Sequence, residues 1–262
     1  MKKQKFLIFG TAFFVTLFVL FGAVLVHQCM DGQKSAKAFA DVAKLVQETP
    51  EDDPTETVQR EVTAYEKYVP VLAENSDFVG WLSIDGTQID YPVVQTPGEP
   101  NYYLKRNFEK KYSNYGTPYV QENCYIGLSD NIVIYGHNMR DGSMFADLCK
   151  YEDEDFYKEH KAIRFDTLSD YGEYEIVAAF KTVAYSEDGF KYYHFVNAES
   201  RAEFDAFIRE CKKLSPYGTG VDAKYGDKLL TLSTCEYSRE NGRMVVVAKR
   251  VEPAEKGADA DA

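Results

Sequence analysis

The sequence has 262 residues, of which 45% are hydrophobic and 27% are charged, so it can bury a sizeable core without disulfide bonds. Acidic residues outnumber basic ones by 42 to 30 and give a net charge of −12, which argues against nucleic acid as a partner. The five cysteines are an odd number without close spacing, and no CxxC or HxxxH pattern suggests zinc, so we expect neither a metal nor another cofactor.

The amino-terminal segment predicts a membrane anchor. Three lysines precede the uncharged stretch 6–26, which is long enough to cross a bilayer as one helix. Positive charge before the span and none directly after it predict that residues 1–5 are cytoplasmic and that residues 27–262 are extracellular. A cleaved signal peptide is the alternative, but the apolar run exceeds the roughly 7 to 15 residues of such peptides, and the nearest small-residue triplet for cleavage, 38–40, lies too far downstream.

Residues 27–76 are predicted to form a helical stalk with two helices. Apolar residues recur at helical spacing on both sides of the acidic break 48–54, and the second pattern is predicted to end at Pro70. We expect the second helix to pack against the following domain. The apolar positions are Ala36, Phe39, Ala40, Ala43 and Val46 in the first helix and Val58, Val62, Tyr65 and Val69 in the second.

From residue 77 onward the chain is rich in strand-like segments. Their β-branched and aromatic content and their irregular spacing favour an antiparallel barrel over a sheet built from alternating strands and helices. The dipeptide Asp85-Gly86 between the first two predicts a two-residue hairpin turn. The predicted strands are 79–84, 87–94, 117–121, 131–135, 162–166, 173–184, 229–232 and 244–247.

Helices are predicted between these strands. Residues 143–151 and 154–160 have short helical patterns, and the long connection 185–226 contains an apolar stripe typical of a longer helix. The acidic run 152–155 lacks the glycine and the spacing of a calcium loop, which favours a solvated helix start. Residues 252–262 are alanine-rich and acidic without periodicity, and are predicted to be disordered. The stripe consists of Phe204, Phe207, Ile208, Cys211 and Leu214.

The last two strands are predicted to form a hairpin that carries a candidate catalytic pair. Cys235 follows the first strand and Arg243 precedes the second, so a thiol and a guanidinium can face each other across the loop. A cation beside a cysteine favours the nucleophilic thiolate, and it can also stabilise an oxyanion. The sequence leaves both roles open for Arg243.

His137 is the candidate proton carrier for this cysteine. It is one of four histidines, and it follows the apolar run 132–134 and Gly136, so it lies beyond a strand end where it can reach a neighbouring strand. A cysteine nucleophile needs a group that protonates the leaving amine. A buried thiol, a capped histidine or a solvated arginine is an ordinary structural feature by itself. The combination of the three indicates a catalytic site.

The motifs around these residues resemble those of the sortase family, the membrane-anchored cysteine transpeptidases of Gram-positive bacteria. The resemblance rests on TLSTC at 231–235 followed by Arg243, and on YGHN at 135–138 after an apolar strand. The stretch FVGWLSIDGT at 78–87, the amino-terminal helices and the helix before the seventh strand make the sequence similar to class B members. The resemblance implies an all-β fold with helical additions, in which an eight-stranded sortase-type barrel follows amino-terminal helices and one transmembrane helix.

The resemblance covers residues 77–251 and implies a reaction. Cys235 would attack a carbonyl in the C-terminal sorting signal of a secreted protein, with His137 protonating the leaving amine and Arg243 steadying the substrate or the oxyanion. An amine of a cell-wall precursor or of another protein would then take the acyl group from Cys235. Ser233 and Thr234 would contact the peptide, or they would be strand-end hydroxyls bonded to nearby backbone.

Two other classes of function fit parts of the sequence. A papain-like protease also uses cysteine and histidine, but its cysteine precedes its histidine and opens a helix, whereas Cys235 follows a strand and comes after His137. A non-catalytic, membrane-anchored binding ectodomain would suit an acidic, tyrosine-rich surface, but it would not require the three candidate residues together. The sequence leaves open the pairing of the other four cysteines, Cys29, Cys124, Cys149 and Cys211.

Overall fold

Eight β-strands close into a barrel in the computed structural model, which describes residues 2–47, 62–187 and 189–252. The strands are β1 (Phe78–Ser83), β2 (Asp90–Val94), β3 (Tyr119–Val120), β4 (Asn131–Tyr135), β5 (Ala162–Thr167), β6 (Glu173–Val183), β7 (Leu229–Cys235) and β8 (Gly242–Arg250). Their order around the barrel is β1-β2-β3-β4-β7-β8-β6-β5, and β5 pairs with β1 to close it. The predicted eight-stranded barrel is confirmed. The expectation of purely antiparallel pairing is wrong, because two neighbouring pairs, β2 with β3 and β4 with β7, are parallel.

The carboxy-terminal hairpin is longer than its apolar residues alone predict. β7 continues through Cys235, and β8 already begins at Gly242. Backbone pairing extends to Cys235 opposite Arg243, because a ladder depends on backbone hydrogen bonds and polar side chains can continue it. Both candidate residues are therefore held inside the hairpin ladder.

The turn between β1 and β2 is longer than the predicted two residues. The Ile84 amide donates to the Ile89 carbonyl at 2.9 Å, so the chain turns through residues 85–88. The Thr87 hydroxyl donates back to the Ile84 carbonyl at 2.8 Å, and Gly86 has the left-handed φ of +77° that this turn requires. The Asp-Gly signal marks the turn correctly but underestimates its length.

Three neighbouring strands of the barrel, β4, β7 and β8, are buried on both faces. Each is buried along most of its length, and residues such as Val133, Leu230 and Val246 have no exposed surface. One face packs inside the barrel, while a 3-10 helix, Ala146–Glu152, packs against the outside of β7 and β8. Continuous burial explains why these strands do not alternate between apolar and polar residues.

Within the described residues, four α-helices accompany the barrel, with 3-10 helices at Tyr102–Lys105, Ala146–Glu152 and Tyr192–His194. The pattern predicted over 143–151 forms the second of these, and the next pattern forms α3. The apolar stripe in the long connection forms α4, whose Phe204, Phe207, Ile208 and Cys211 are buried. The α-helices are α1 (Lys2–Gln47), α2 (Ala64–Glu74), α3 (Glu154–Glu159) and α4 (Arg201–Leu214).

Helix α2 packs against β1, as predicted, but it does not end at Pro70. Thr63 caps its amino terminus with a capping box, and Pro70 lies inside the helix. Tyr68 and Val71, on either side of the proline, are almost fully buried, and their burial offsets the hydrogen bond that proline cannot donate. The predicted start of this helical pattern, at Val58, lies outside the described residues, as does the predicted tail from residue 253.

Helix α1 runs without a break through the predicted span and into the stalk. The large apolar side chains described between Phe13 and Val26 are exposed, and the helix, from Phe13 to Gln47 among the described residues, is long and apolar enough to cross a membrane. Further along, Phe39 is buried and packs edge-on against Tyr91 of β2, with ring centroids 5.0 Å apart. The buried face of the stalk differs from the predicted one, since it contains Ser35, Phe39 and Val42, whereas Ala36 and Ala40 are exposed.

Candidate active site

The parallel pairing of β4 with β7 brings the histidine and cysteine segments together. Tyr135 lies opposite Ser233, and just beyond it the Gly136 amide donates to the Ser233 carbonyl at 3.1 Å. The Thr234 hydroxyl donates to the Gly136 carbonyl at 2.7 Å. Because both strands run in the same direction, the residues that follow them, including His137, lie at the same end of the barrel.

All five sequence-predicted site residues line a single groove at this end of the barrel. The groove has a volume of about 710 Å³, and tyrosines form much of its wall. The sequence did not identify these tyrosines as a set, because they are scattered over almost a hundred residues. The predicted site residues in the groove are His137, Ser233, Thr234, Cys235 and Arg243, and the tyrosines are Tyr103, Tyr119, Tyr135, Tyr185, Tyr192 and Tyr193.

Cys235 and Arg243 are cross-strand partners. They face each other at the end of the β7–β8 ladder, and Cys235 is partly exposed and unpaired. The Arg243 guanidinium donates to the Gly242 carbonyl at 2.9 Å and lies 5.9 Å from the centre of the Tyr185 ring. A thiol and a cation at the rim of one groove suit attack on a carbonyl followed by stabilisation of the resulting oxyanion.

A backbone carbonyl orients His137. Its Nε2 lies 2.6 Å from the carbonyl oxygen of Leu104, in the 3-10 helix Tyr102–Lys105. A carbonyl can only accept, so Nε2 carries the hydrogen and Nδ1 is left to exchange a proton. Gly116, with φ of +63°, makes room for this contact, since a Cβ there would lie 2.8 Å from the Leu104 oxygen.

Asn138 joins the histidine segment to the cysteine segment. Its Nδ2 donates to the Cys235 carbonyl at 2.9 Å, and its own carbonyl accepts from the Tyr237 hydroxyl at 2.9 Å. These two bonds fix the backbone at the end of β7 relative to the loop that follows β4. The sequence places Asn138 beside His137 but gives no signal for this contact.

The hydroxyls of Ser233 and Thr234 are both bonded within the protein. Ser233 Oγ lies 2.6 Å from the Tyr192 hydroxyl, and Thr234 donates to the Gly136 carbonyl. Both side chains are at most 2% exposed. They line the groove and at the same time hold its wall in place.

Charged groups lie next to Cys235 in the hairpin. Burial alone would raise the pKa of Glu236, but hydrogen bonds from Ser238 and the charge of Lys181 hold that pKa below its ordinary value. Burial and the charge of Glu236 together raise the pKa of the neighbouring Cys149 thiol to about 11. Cys149 is therefore protonated at neutral pH and is a poor nucleophile.

The other cysteines are also unpaired. Cys124 and Cys211 are buried in the core, where burial raises the pKa of both thiols, and Cys29 is exposed on α1. Among the residues that the structure describes, no group of three or more histidine, cysteine or acidic side chains could hold a metal ion.

Comparisons with known proteins agree with this geometry. The Sortase domain family model matches residues 82–251. The chain is 30% identical over 255 residues to sortase B of Staphylococcus aureus, covering 95% of this chain and 98% of that protein. It is 38% identical over 181 residues to sortase B of Listeria monocytogenes, covering 68% of this chain and 71% of that protein.

Solved structures show the same likeness. The B. anthracis sortase B in complex with AAEK1 superimposes with a TM-score of 0.72 and 31% identity, covering 86% of this chain and 99% of that one. The Staphylococcus aureus sortase B–substrate complex gives a TM-score of 0.74 and 27% identity, covering 86% and 100%. By its sequence, its closed barrel and its similarity to these enzymes, the chain belongs to the sortase family, as a sortase B-like cysteine transpeptidase.

Proposed function

We propose that Cys235, His137 and Arg243 catalyse the cleavage of a C-terminal sorting signal and the transfer of its acyl group to an amine. The observation that carries this proposal is the convergence of the three side chains in one groove. A sortase B–substrate complex and a sortase B complexed with triglycine have been solved. These relatives support a peptide substrate and an amine acceptor for this chain.

The first half of the reaction forms a thioester. With its proton transferred to Nδ1 of His137, the Cys235 sulfur attacks the carbonyl carbon of the scissile bond, and the oxyanion that develops is stabilised by the Arg243 guanidinium. The carbon–nitrogen bond then breaks, and His137 gives its proton to the leaving amine. Ser233 and Thr234 support the groove wall along which the peptide binds.

The second half reverses these roles. The acceptor amine attacks the thioester carbon, His137 takes the proton that the amine loses, and Cys235 leaves as a thiolate. The acceptor is an amine of a cell-wall precursor or of another protein. The products are the transferred acyl group in a new amide bond and the enzyme in its starting form.

The nucleophile is tested with Cys235→Ala and the neighbouring control Cys149→Ala. We expect Cys235→Ala to abolish cleavage of a sorting-signal peptide in the presence of triglycine, as measured by mass spectrometry of the products. The barrel should keep its thermal stability, because a partly exposed thiol contributes little buried area. Cys149→Ala should retain turnover, since its thiol is protonated at neutral pH. Continued turnover by Cys235→Ala would contradict the assignment.

We also propose that α1 anchors the chain in the cell membrane as a single span, with the amino terminus in the cytoplasm and the barrel outside. The exposed apolar side chains between Phe13 and Val26 support this placement. Fractionation should recover the full-length chain with membranes, and external protease should digest the barrel of intact cells lacking their wall. A shortened, soluble secreted form would instead identify the segment as a signal peptide.

A further inference from the structure

The anchor helix is bonded to the barrel immediately above its apolar segment. Asp31 accepts hydrogen bonds from the Asn114 side chain at 3.1 Å and from the Asn114 amide at 3.4 Å. The next residue, Gly32, approaches the barrel so closely that a Cβ there would lie 2.5 Å from the Tyr115 hydroxyl. Tyr115 in turn donates to Asp141, in the loop after His137. These contacts attach this end of the barrel to α1.

These contacts set the height of the barrel above the membrane. Asp31 is five residues beyond Val26 in a continuous helix, which corresponds to about 7.5 Å along the axis. The headgroup region of one leaflet is roughly 5 to 8 Å thick. The part of the barrel that bonds to Asp31 therefore lies at the outer edge of the headgroups.

We propose that this end of the barrel is a membrane-contact surface, which α1 holds against phospholipid headgroups. The surface, here called the headgroup rim, consists of Tyr112, Asn114 and Arg140. All three are exposed, and Tyr112, at 70% exposure, bonds through its hydroxyl to the Asn114 side chain at 2.9 Å. The inference rests on the proposed anchor and goes beyond it by assigning a second, lateral contact with the bilayer.

The side chains of the rim have the chemistry that this position requires. Tyrosine is favoured at membrane interfaces, where its ring meets the lipid and its hydroxyl meets water. Arg140, next to Asp141, offers a guanidinium to lipid phosphates. The rim thus carries a cation and an amphipathic ring on a chain whose overall charge is −12. Its occupant is the headgroup layer of the membrane in which α1 is inserted.

The opposite end of the barrel supplies a control position. Tyr125 is 58% exposed and precedes the start of β4 at Asn131. His137 and the rim lie beyond the other end of the same strand. A probe at position 125 should therefore be remote from the membrane when a probe at position 112 touches it.

The test uses the full-length chain in phosphatidylglycerol vesicles that contain lipids spin-labelled at the headgroup. Tyr112→Trp and Tyr125→Trp are compared by fluorescence quenching, with the signal of Trp81, the single native tryptophan, subtracted as background. Trp81 is only 7% exposed. We expect quenching several-fold stronger at position 112 than at 125. Equal quenching at the two positions would overturn the inference.

A flexible Gly-Ser insertion after Met30 tests whether α1 holds the headgroup rim against the membrane. It should reduce quenching at position 112 to the level seen at 125, while leaving the thermal stability of the barrel unchanged. Quenching that survives the insertion would refute the role of the helix. Flotation with vesicles separates this failure from failure of the anchor, because a chain that does not float would overturn the anchor and the rim together.

Discussion

Arg243 faces Cys235 across the hairpin, where a guanidinium can act through its charge or through its shape. Its contacts favour a role for the geometry of its donors. One guanidinium nitrogen donates to the Gly242 carbonyl, and the central carbon of the group lies 5.9 Å from the centre of the Tyr185 ring. Because Arg243 also lines the groove, its remaining donors are available to a bound peptide. A lysine ammonium is a point charge without this fork of donors.

Arg243→Lys should therefore lose transpeptidation although it keeps the charge. We expect a fall in kcat/KM on the order of 10²-fold, as for the loss of one oxyanion donor, measured with a sorting-signal peptide and triglycine. Arg239→Lys, at an exposed position in the hairpin loop, is the matched control and should be close to wild type. A near-normal rate for Arg243→Lys would assign the residue to electrostatic activation of Cys235 instead.

The sequence identifies the candidate catalytic side chains, but it does not identify the backbone groups that they contact. Cys235, His137 and Arg243 could be proposed because each follows or begins an apolar strand in a recognisable motif. The acceptor for His137 could not, because any residue in place of Leu104 would present the same carbonyl. The contact of Asn138 with the end of β7 depends on parallel pairing between strands that are far apart in the chain.

Helix α1 shows how an element can be predicted correctly and oriented incorrectly. Its helical character follows from its apolar spacing, but Ala36 and Ala40 face solvent while Ser35 is buried. Alanine is a strong helix former on any face, so its spacing says little about which side packs. The prediction that α2 ends at Pro70 is also wrong, because the burial of Tyr68 and Val71 outweighs the local effect of the proline.

The close approach of α1 to the barrel predicts that Gly32→Ala will loosen the stalk. The new Cβ would displace the Tyr115 hydroxyl and break its bond to Asp141. We expect faster proteolysis of the segment around residues 32–47, measured by limited digestion of the full chain in vesicles, with the barrel fragment intact. Gly22→Ala is the control, because a Cβ at Gly22 meets nothing within 4 Å. Equal digestion of the two variants would show that this contact does not hold the stalk.

Asp130 links three segments of the barrel at the end opposite the groove. Its carboxylate accepts from the Ala198 amide and from the Lys228 ammonium, both at 3.0 Å. One residue thus connects the start of β4, the start of β7 and the connection that leads to α4. Burial alone would raise the pKa of Asp130, but these two donors hold it below its ordinary value.

Asp130→Asn should lower the free energy of unfolding by about 1 kcal/mol at neutral pH, since the side chain is partly solvated. A depressed pKa in the folded state stabilises the protein above the unfolded pKa of about 3.9, and this contribution is lost as pH falls through the folded pKa. Urea denaturation should therefore show a difference from wild type that persists to about pH 4 and shrinks below it. Asp222→Asn, whose side chain is 84% exposed beside Lys212, should change little at any pH. A difference for Asp130→Asn that did not depend on pH would contradict the role of its charge.

The eight-stranded architecture was predictable because it depends on strand number and on motifs that the family shares. The closed order of strands was not, because the sequence does not show that β7 and β8 insert between β4 and β6. Strands that pair although they are far apart in the sequence bring together residues that no local sequence pattern relates.

The position of β7 and β8 in the barrel also determines when the groove can form during synthesis. Both strands follow β6 in the sequence, yet they lie between β4 and β6 in the barrel, so the barrel closes only after the residues up to Arg250 are free to pair. Because synthesis proceeds from the amino terminus, Cys235 can meet His137 only after β7 has been made and has paired with β4. A nascent chain that has not yet released β7 and β8 therefore has no assembled groove, and the catalytic groups stay apart until the barrel closes.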